Sequence, residues 1–388
     1  MTMPTLRLSE LDAVRGWAAL SVVVFHVFWE TFGVVEPSFR NPVTAPFING
    51  DADVAIFFVL SGDVLVYGFL ATGNPVGIQR TAIKRYLRLT LPITAASALV
   101  WALVHLKLSW WDQASVLVHR GSWFSVLPRN HMTLGDLLYY SFRDVYSPHP
   151  SHEFISFLWT MRIELFGSAA VILYAFVQQR IACKKIILAA LIAWLYSAGS
   201  DYAPFFVGVM IAQARTEGVF ERDFKLRSTS SSCLIVAGLL LSDLDMQGFH
   251  WTARPSTAIA ILIVTGIVGN QPLCAFLARN RVSQFLGRLS FPLYLVHLVV
   301  IIGPMSWAIV WADRRGLDTT LDHLAIALAT VAVCVVCAWM FSPVERGTAI
   351  VNRFVVAAAE GRVRGWATTN RIPPLVPAAT LGIMPSGE

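Results

Sequence analysis

"RGWAALSVVVFH", Arg15 to His26, opens an apolar run with an arginine and places a histidine near its far end. On an α-helix, eleven steps of about 100° return the chain to the same face. The two side chains then share one stripe, about 16 Å apart at about 1.5 Å per residue. One lies near a membrane surface and the other inside the apolar layer. Such a spacing reads as a site built into a membrane helix. Whether the chain as a whole is a membrane protein depends on how often such runs recur.

They recur throughout. Of 388 residues, 56% are hydrophobic and only 14% charged, against about 25% charged in soluble domains. Ten stretches approach the length of about 20 residues that spans a bilayer. They fall near 11–32, 52–70, 88–106, 155–177, 185–199, 202–214, 231–245, 255–270, 288–310 and 321–342, the fifth to seventh being short. The runs are continuously apolar rather than alternating, which argues against a β-barrel. The expected fold class is all-α: a polytopic membrane protein with about ten transmembrane helices. Residues 1–345 form the transmembrane domain. Residues 346–388 form a C-terminal tail, partly disordered and too short for a second enzymatic domain.

Ten spans put both termini on one side, and the charges say which. Of the 30 lysines and arginines, 21 fall on the terminal side and eight on the other, with Arg162 inside a span. Basic loops face the cytoplasm, so both termini are expected there. The net charge of +6 is thereby absorbed by topology and implies no nucleic-acid partner. The first run carries Asp12 and Arg15 and does not read as a cleaved signal peptide. Ser9 and Asp12 fit an S-x-x-D helix cap. The five cysteines lie in or beside apolar runs and suggest no disulfide framework. Cys334 and Cys337, a C-x-x-C without neighbouring histidine or carboxylate, read as core residues.

The longest segment on the opposite side, about 107–154, contains Trp110, Trp111, Trp123, His119, His131, His149, His152 and the amphipathic "HMTLGDLLYYSF". Its aromatic residues are either interface anchors or a stacking surface for an acceptor such as a sugar. The histidines lack tight metal-ligand spacing, so no metal is expected.

An ionised side chain at the bilayer centre costs about 2.5–3.5 kcal/mol, so ionisable residues inside spans are functional candidates. They are His26 and Glu30 in the first span, Asp63 in the second, Arg162 and Glu164 in the fourth, and His297 in the ninth. His26, Glu164 and His297 fall at similar depth. Glu30 follows His26 at i,i+4, where it could hydrogen-bond the imidazole. "KRYLR" sets Arg85 and Arg88 at i,i+3, either a positive-inside anchor or a fork for phosphates. A proton-coupled transporter of a sugar or lipid-linked intermediate would use such residues equally well. Against that alternative, the chain shows no inverted or parallel repeat.

Taken together the motifs resemble the acyltransferase 3 family of membrane O-acyltransferases. "LDAVRGWAALSVVVFH" is similar to its opening motif, an arginine and a histidine separated by ten residues. "IFFVLSGDVL" resembles its second-helix signature and "RYLRL" its R-x-x-R motif. "LWTMRIELFGS" resembles the tryptophan-to-glutamate motif, "LGRLSFPLYLVHLVV" the late serine–tyrosine–histidine helix, and "SPVERG" the glutamate after the last span. All six occur in the family order over about residues 8–348. Two positions depart from it: Asp63 replaces an aromatic or aliphatic residue, and Ala55 stands where an aspartate is common.

The resemblance implies transfer of an acyl group, commonly acetyl, from cytoplasmic acyl-coenzyme A to a hydroxyl of a cell-surface or exported carbohydrate. It implies a stand-alone multi-pass protein of a bacterial cytoplasmic (inner) membrane, with no permanently bound cofactor. Arg15 would orient the donor, with Arg85 and Arg88 on its phosphates. His26 would act as general base or transient acyl carrier, an imidazole having an ordinary pKa of about 6.5. Glu164 would orient or polarise the acceptor or the histidine. His297 has either a site role or a structural one, and Asp63 a role particular to this chain.

Overall fold

The computed structural model describes residues 8–121, 132–221, 224–249, 252 and 254–369. Each of the ten apolar stretches is helical over most of its length. The helices are α1 (Ser9–Val24), α2 (Gly50–Thr72), α3 (Pro75–His105), α4 (Trp111–Leu117), α5 (Leu134–Phe142), α6 (Trp159–Val177) and α7 (Lys184–Ser197). They continue with α8 (Ala203–Thr216), α9 (Phe224–Met246), α10 (Pro255–Gly269), α11 (Gln271–Arg279), α12 (Arg281–Val300), α13 (Ser306–Asp313) and α14 (Thr320–Thr369).

Among the described residues, seven helical segments are long and apolar enough to cross a membrane. The number is eight if α10 and α11, bent by 85°, count as one span. Ten were expected. The difference lies in α7 and α8, each 14 residues, or about 21 Å at 1.5 Å per residue against a hydrocarbon core of about 30 Å. At the other extreme α14 runs for 50 residues, so the tail expected from 346 begins as helix and stays helical to Thr369. Trp123 and His131 lie outside the described residues.

Local chemistry sets the breaks. Gly73 closes α2 in the left-handed region at φ +68°, and the Asn74 side chain accepts from the Val76 amide to cap α3, with Pro75 in its first turn. At the other end of the chain, Asn280 caps α12 through the Ser283 amide. By contrast the S-x-x-D cap expected at α1 does not form. The helix starts at Ser9, its N-cap is Leu8 without a side-chain cap bond, and Asp12 lines a cavity.

Two glycine crossings bring the central helices together. A Cβ on Gly16 of α1 would lie 2.3 Å from the Gly287 amide nitrogen of α12. One on Gly62 of α2 would lie 2.0 Å from the Phe205 carbonyl oxygen of α8, and one on Gly208 2.1 Å from that of Val59. Only backbones without side chains approach this closely, a packing mode common between membrane helices. Arg15, Ser61 and Arg288 are the immediate neighbours of these glycines, so the tightest crossings fix the polar residues beside them.

Past these crossings both α1 and α12 change winding. Phe25–Thr31 and Ile301–Met305 are π-helical. The Thr31 hydroxyl donates to the His26 carbonyl at 2.7 Å, and the Ser306 hydroxyl to that of Ile301 at 2.6 Å. Each thereby satisfies a carbonyl that regular α-winding would have used.

Candidate active site

A cavity of about 490 Å³ opens among α1, α2, α3, α6, α12 and α14. Its charged walls are Asp12, Arg15, Arg85, Arg88, Glu164, Arg288 and Glu345, and Phe57, Met161, Phe291 and Tyr294 line it too. Its lining reaches from Leu65 to Val54 along α2, about 16 Å at 1.5 Å per residue.

One hydrogen-bonded chain organises the polar wall. Arg15 Nη2 donates to Ser61 Oγ at 3.2 Å, and Ser61 Oγ donates to Glu164 Oε1 at 2.8 Å. Glu164 Oε1 also pairs with the Arg85 guanidinium, whose Nε donates to Ser168 Oγ at 2.9 Å. The Ser168 hydroxyl in turn donates to the Glu164 carbonyl. Glu164 therefore holds two arginines in place, one directly and one through Ser61.

Arg85 and Arg88, which the sequence paired as equals, are used differently. Arg85 is committed to Glu164, both side chains being only 12–13% accessible. Arg88 is exposed to the cavity and forms no ion pair or side-chain hydrogen bond among the described residues; Glu345, Glu164 and Asp12 are its nearby opposite charges. Among the described residues, Arg88 and Arg288 are the cavity cations open to an anionic ligand.

His26 is not part of the cavity lining. Half-buried, with Nδ1 sealed from solvent, it lies parallel to Phe157 at 4.0 Å between ring centroids and to His297 at 5.3 Å. Phe157 and His297 are themselves 4.5 Å apart. His297 is fully buried, and neither of its ring nitrogens has a hydrogen-bond partner among the described residues. Tyr294 links the two compartments. It lines the cavity, its ring is 5.8 Å from His297, and its hydroxyl bonds Thr160 at 2.7 Å and the Phe157 carbonyl.

The remaining candidates lie elsewhere. Glu30 does not bond His26; its carboxylate pairs with Arg120 instead. Asp63, fully buried, accepts from Arg215 Nη1 at 2.9 Å. The same guanidinium reaches Glu10 at 3.2 Å and lies 4.8 Å over the Tyr67 ring. Asp63 thus ties α2 to α8 and to the start of α1 rather than facing the cavity. Arg162 is half-buried near the start of α6, with Asp201 as its charged neighbour. Asp201 itself is bridged by Arg254 at 3.1 Å, and its partial burial outside the spans pushes its carboxyl above the usual range. Among the described residues no three His, Cys, Asp or Glu side chains gather as a metal-binding group.

Sequence reasoning missed Ser61, Thr160 and Arg288. Ser61 and Thr160 are small hydroxyls inside apolar runs, with no charge to mark them. Arg288 was absorbed into the basic-loop count, although it directly follows Gly287, which crosses beside Arg15.

A membrane-embedded cavity walled by arginines, with an imidazole pair behind it, has the parts of a group-transfer enzyme acting on an anionic donor. The comparisons agree. The chain matches the acyltransferase domain of the acyltransferase 3 family over residues 8–340, and it belongs to that family. It is also similar to O-acetyltransferase PaAT-1 of Phomopsis amygdali, 23% identical over 362 residues covering 74% of this chain and 71% of the relative. No solved structure matches it. The protein is a polytopic membrane acyltransferase.

Proposed function

We propose that this acyltransferase moves an acetyl group from acetyl-coenzyme A to a hydroxyl of a cell-surface or exported carbohydrate. The observation that carries the donor assignment is Arg88, exposed to the cavity without an ion pair of its own. A guanidinium in that state suits a diphosphate. The acetyl group follows the activity printed for the relative. The excess of lysine and arginine on the terminal side supports a cytoplasmic mouth for the cavity, with both termini there. On this reading the protein is a multi-pass component of a bacterial inner membrane.

Arg88 binds the diphosphate, while Arg85 and Arg15, held by Glu164 and Ser61, shape the channel for the pantetheine arm. The thioester comes to rest at Tyr294 and Thr160. A shift of the Tyr294 and Phe157 rings then exposes it to His26. There the imidazole takes the proton of the acceptor hydroxyl as its oxygen attacks the thioester carbonyl. The carbon–sulfur bond breaks, the ester forms, and the proton passes to the departing coenzyme A thiolate. Glu164 is a positioning residue in this scheme, and so is His297, which stacks on His26.

The test is coenzyme A release by the protein in lipid nanodiscs, supplied with acetyl-CoA and a panel of oligosaccharide acceptors. Wild type should release the thiol only when a hydroxyl acceptor is present, and His26→Ala should not. Equal release by the two proteins would overturn the assignment.

A further inference from the structure

Arg288 and Glu345 border two spaces at once. Besides the cavity, they line a groove of about 730 Å³ between α12 and α14, whose other walls include Phe285, Trp339, Ser342 and Arg346. Trp339 is 60% exposed. Arg288 and Arg346 are both exposed and make no ion pair or side-chain hydrogen bond among the described residues. The groove therefore combines two uncommitted guanidinium groups with an open indole face. That is the chemistry for a phosphate monoester joined to a flat aromatic ring.

Continuity with the cavity narrows the occupant. A ligand reaching from Arg88 past Glu345 to Arg346 must be long and must carry anionic groups at both places. Glu345, at the junction, repels phosphate from the middle and so separates the two anion positions. We propose that the groove between α12 and α14 holds the 3′-phosphoadenosine end of the acyl donor. Arg346 and Arg288 bind its 3′-phosphate and Trp339 stacks on its adenine. The cavity then takes the diphosphate and pantetheine arm. This subsite rests on the acyl-coenzyme A reading above and extends it.

The test compares binding of coenzyme A and 3′-dephospho-coenzyme A to the full chain in nanodiscs of zwitterionic lipid, by calorimetry. Wild type should bind coenzyme A about a hundredfold more tightly than the dephospho form, two charge-assisted phosphate contacts being lost. Arg346→Ala, which removes one of the two, should weaken coenzyme A about tenfold and leave the dephospho form unchanged. Trp339→Ala should weaken both nucleotides equally and leave 4′-phosphopantetheine unaffected. Equal binding of the two coenzymes by wild type, or equal weakening of both by Arg346→Ala, would overturn the subsite. If phosphatidylglycerol added to the nanodiscs raises thermal stability in wild type but not in Arg346→Ala, while both coenzymes bind unchanged, the groove holds a lipid headgroup and the proposal fails. Wild type that binds neither coenzyme would instead defeat the donor reading itself.

Discussion

Replacing Ser61 with alanine removes the hydroxyl that joins Arg15 to Glu164. Two hydrogen bonds disappear, each with a charged partner, at 3.2 Å and 2.8 Å. Bonds to charged groups contribute about 1.5–3 kcal/mol each. The longer bond lies at the weak end of the geometric range, and the open cavity lets water replace part of both. The net loss in orienting the wall is then about 2 kcal/mol, or about thirtyfold in kcat/KM at about 1.4 kcal/mol per tenfold. Ser61 is 5% exposed, and alanine fits the space, so the fold should hold. The assay is the initial rate of coenzyme A release against donor concentration, with circular dichroism to check folding. Ser61→Thr, which keeps a hydroxyl, should recover much of the loss. A folded Ser61→Ala protein within about twofold of wild-type kcat/KM would refute the claim that the serine transmits the Glu164 charge to Arg15.

The other expectations concern neighbouring parts of the same frame. Arg88→Gln should raise donor KM about tenfold with little change in kcat, whereas Arg85→Gln should lower kcat as well, since it strands the Glu164 carboxylate; kinetics over a donor series separates them. Gly62→Ala places a methyl 2.0 Å from a backbone oxygen and should lower the melting temperature in detergent sharply, while Gly68→Ala, with nothing within 4 Å, should not. Arg215→Ala leaves Asp63 buried without its partner and should cost about 3–5 kcal/mol. Adding Asp63→Leu to that variant should restore most of the melting temperature.

The order of apolar runs sufficed for the fold class because a membrane helix must satisfy its own backbone, and only composition and length are needed to see it. Span number was less legible: α7 and α8 are apolar enough but too short, and a sequence does not say whether a 14-residue helix crosses or stops within the membrane. Arg15, Arg85, Arg88 and Glu164 line one cavity, whereas depth along the spans had grouped Glu164 with His26 and His297, which lie outside its lining. Their division of labour was not readable, because it depends on Ser61 and Ser168, whose hydroxyls are ordinary in any helix. The bond that Glu30 could have made to His26 is absent because its carboxylate pairs with Arg120, a residue 90 positions away that helix spacing cannot reveal. Asp63 looked like a possible site residue by depth alone, and only the position of Arg215, 152 residues away in sequence, assigns it to packing between helices.

The central claim is that His26 carries out acyl transfer to an exported hydroxyl. It is tested most directly by mass spectrometry of surface glycans and exported metabolites from cells carrying wild type, His26→Ala or neither. The account predicts an ester-linked acetyl group present with wild type and absent from the other two, with both proteins inserted in the membrane at equal levels. The same acetylation in all three would contradict it.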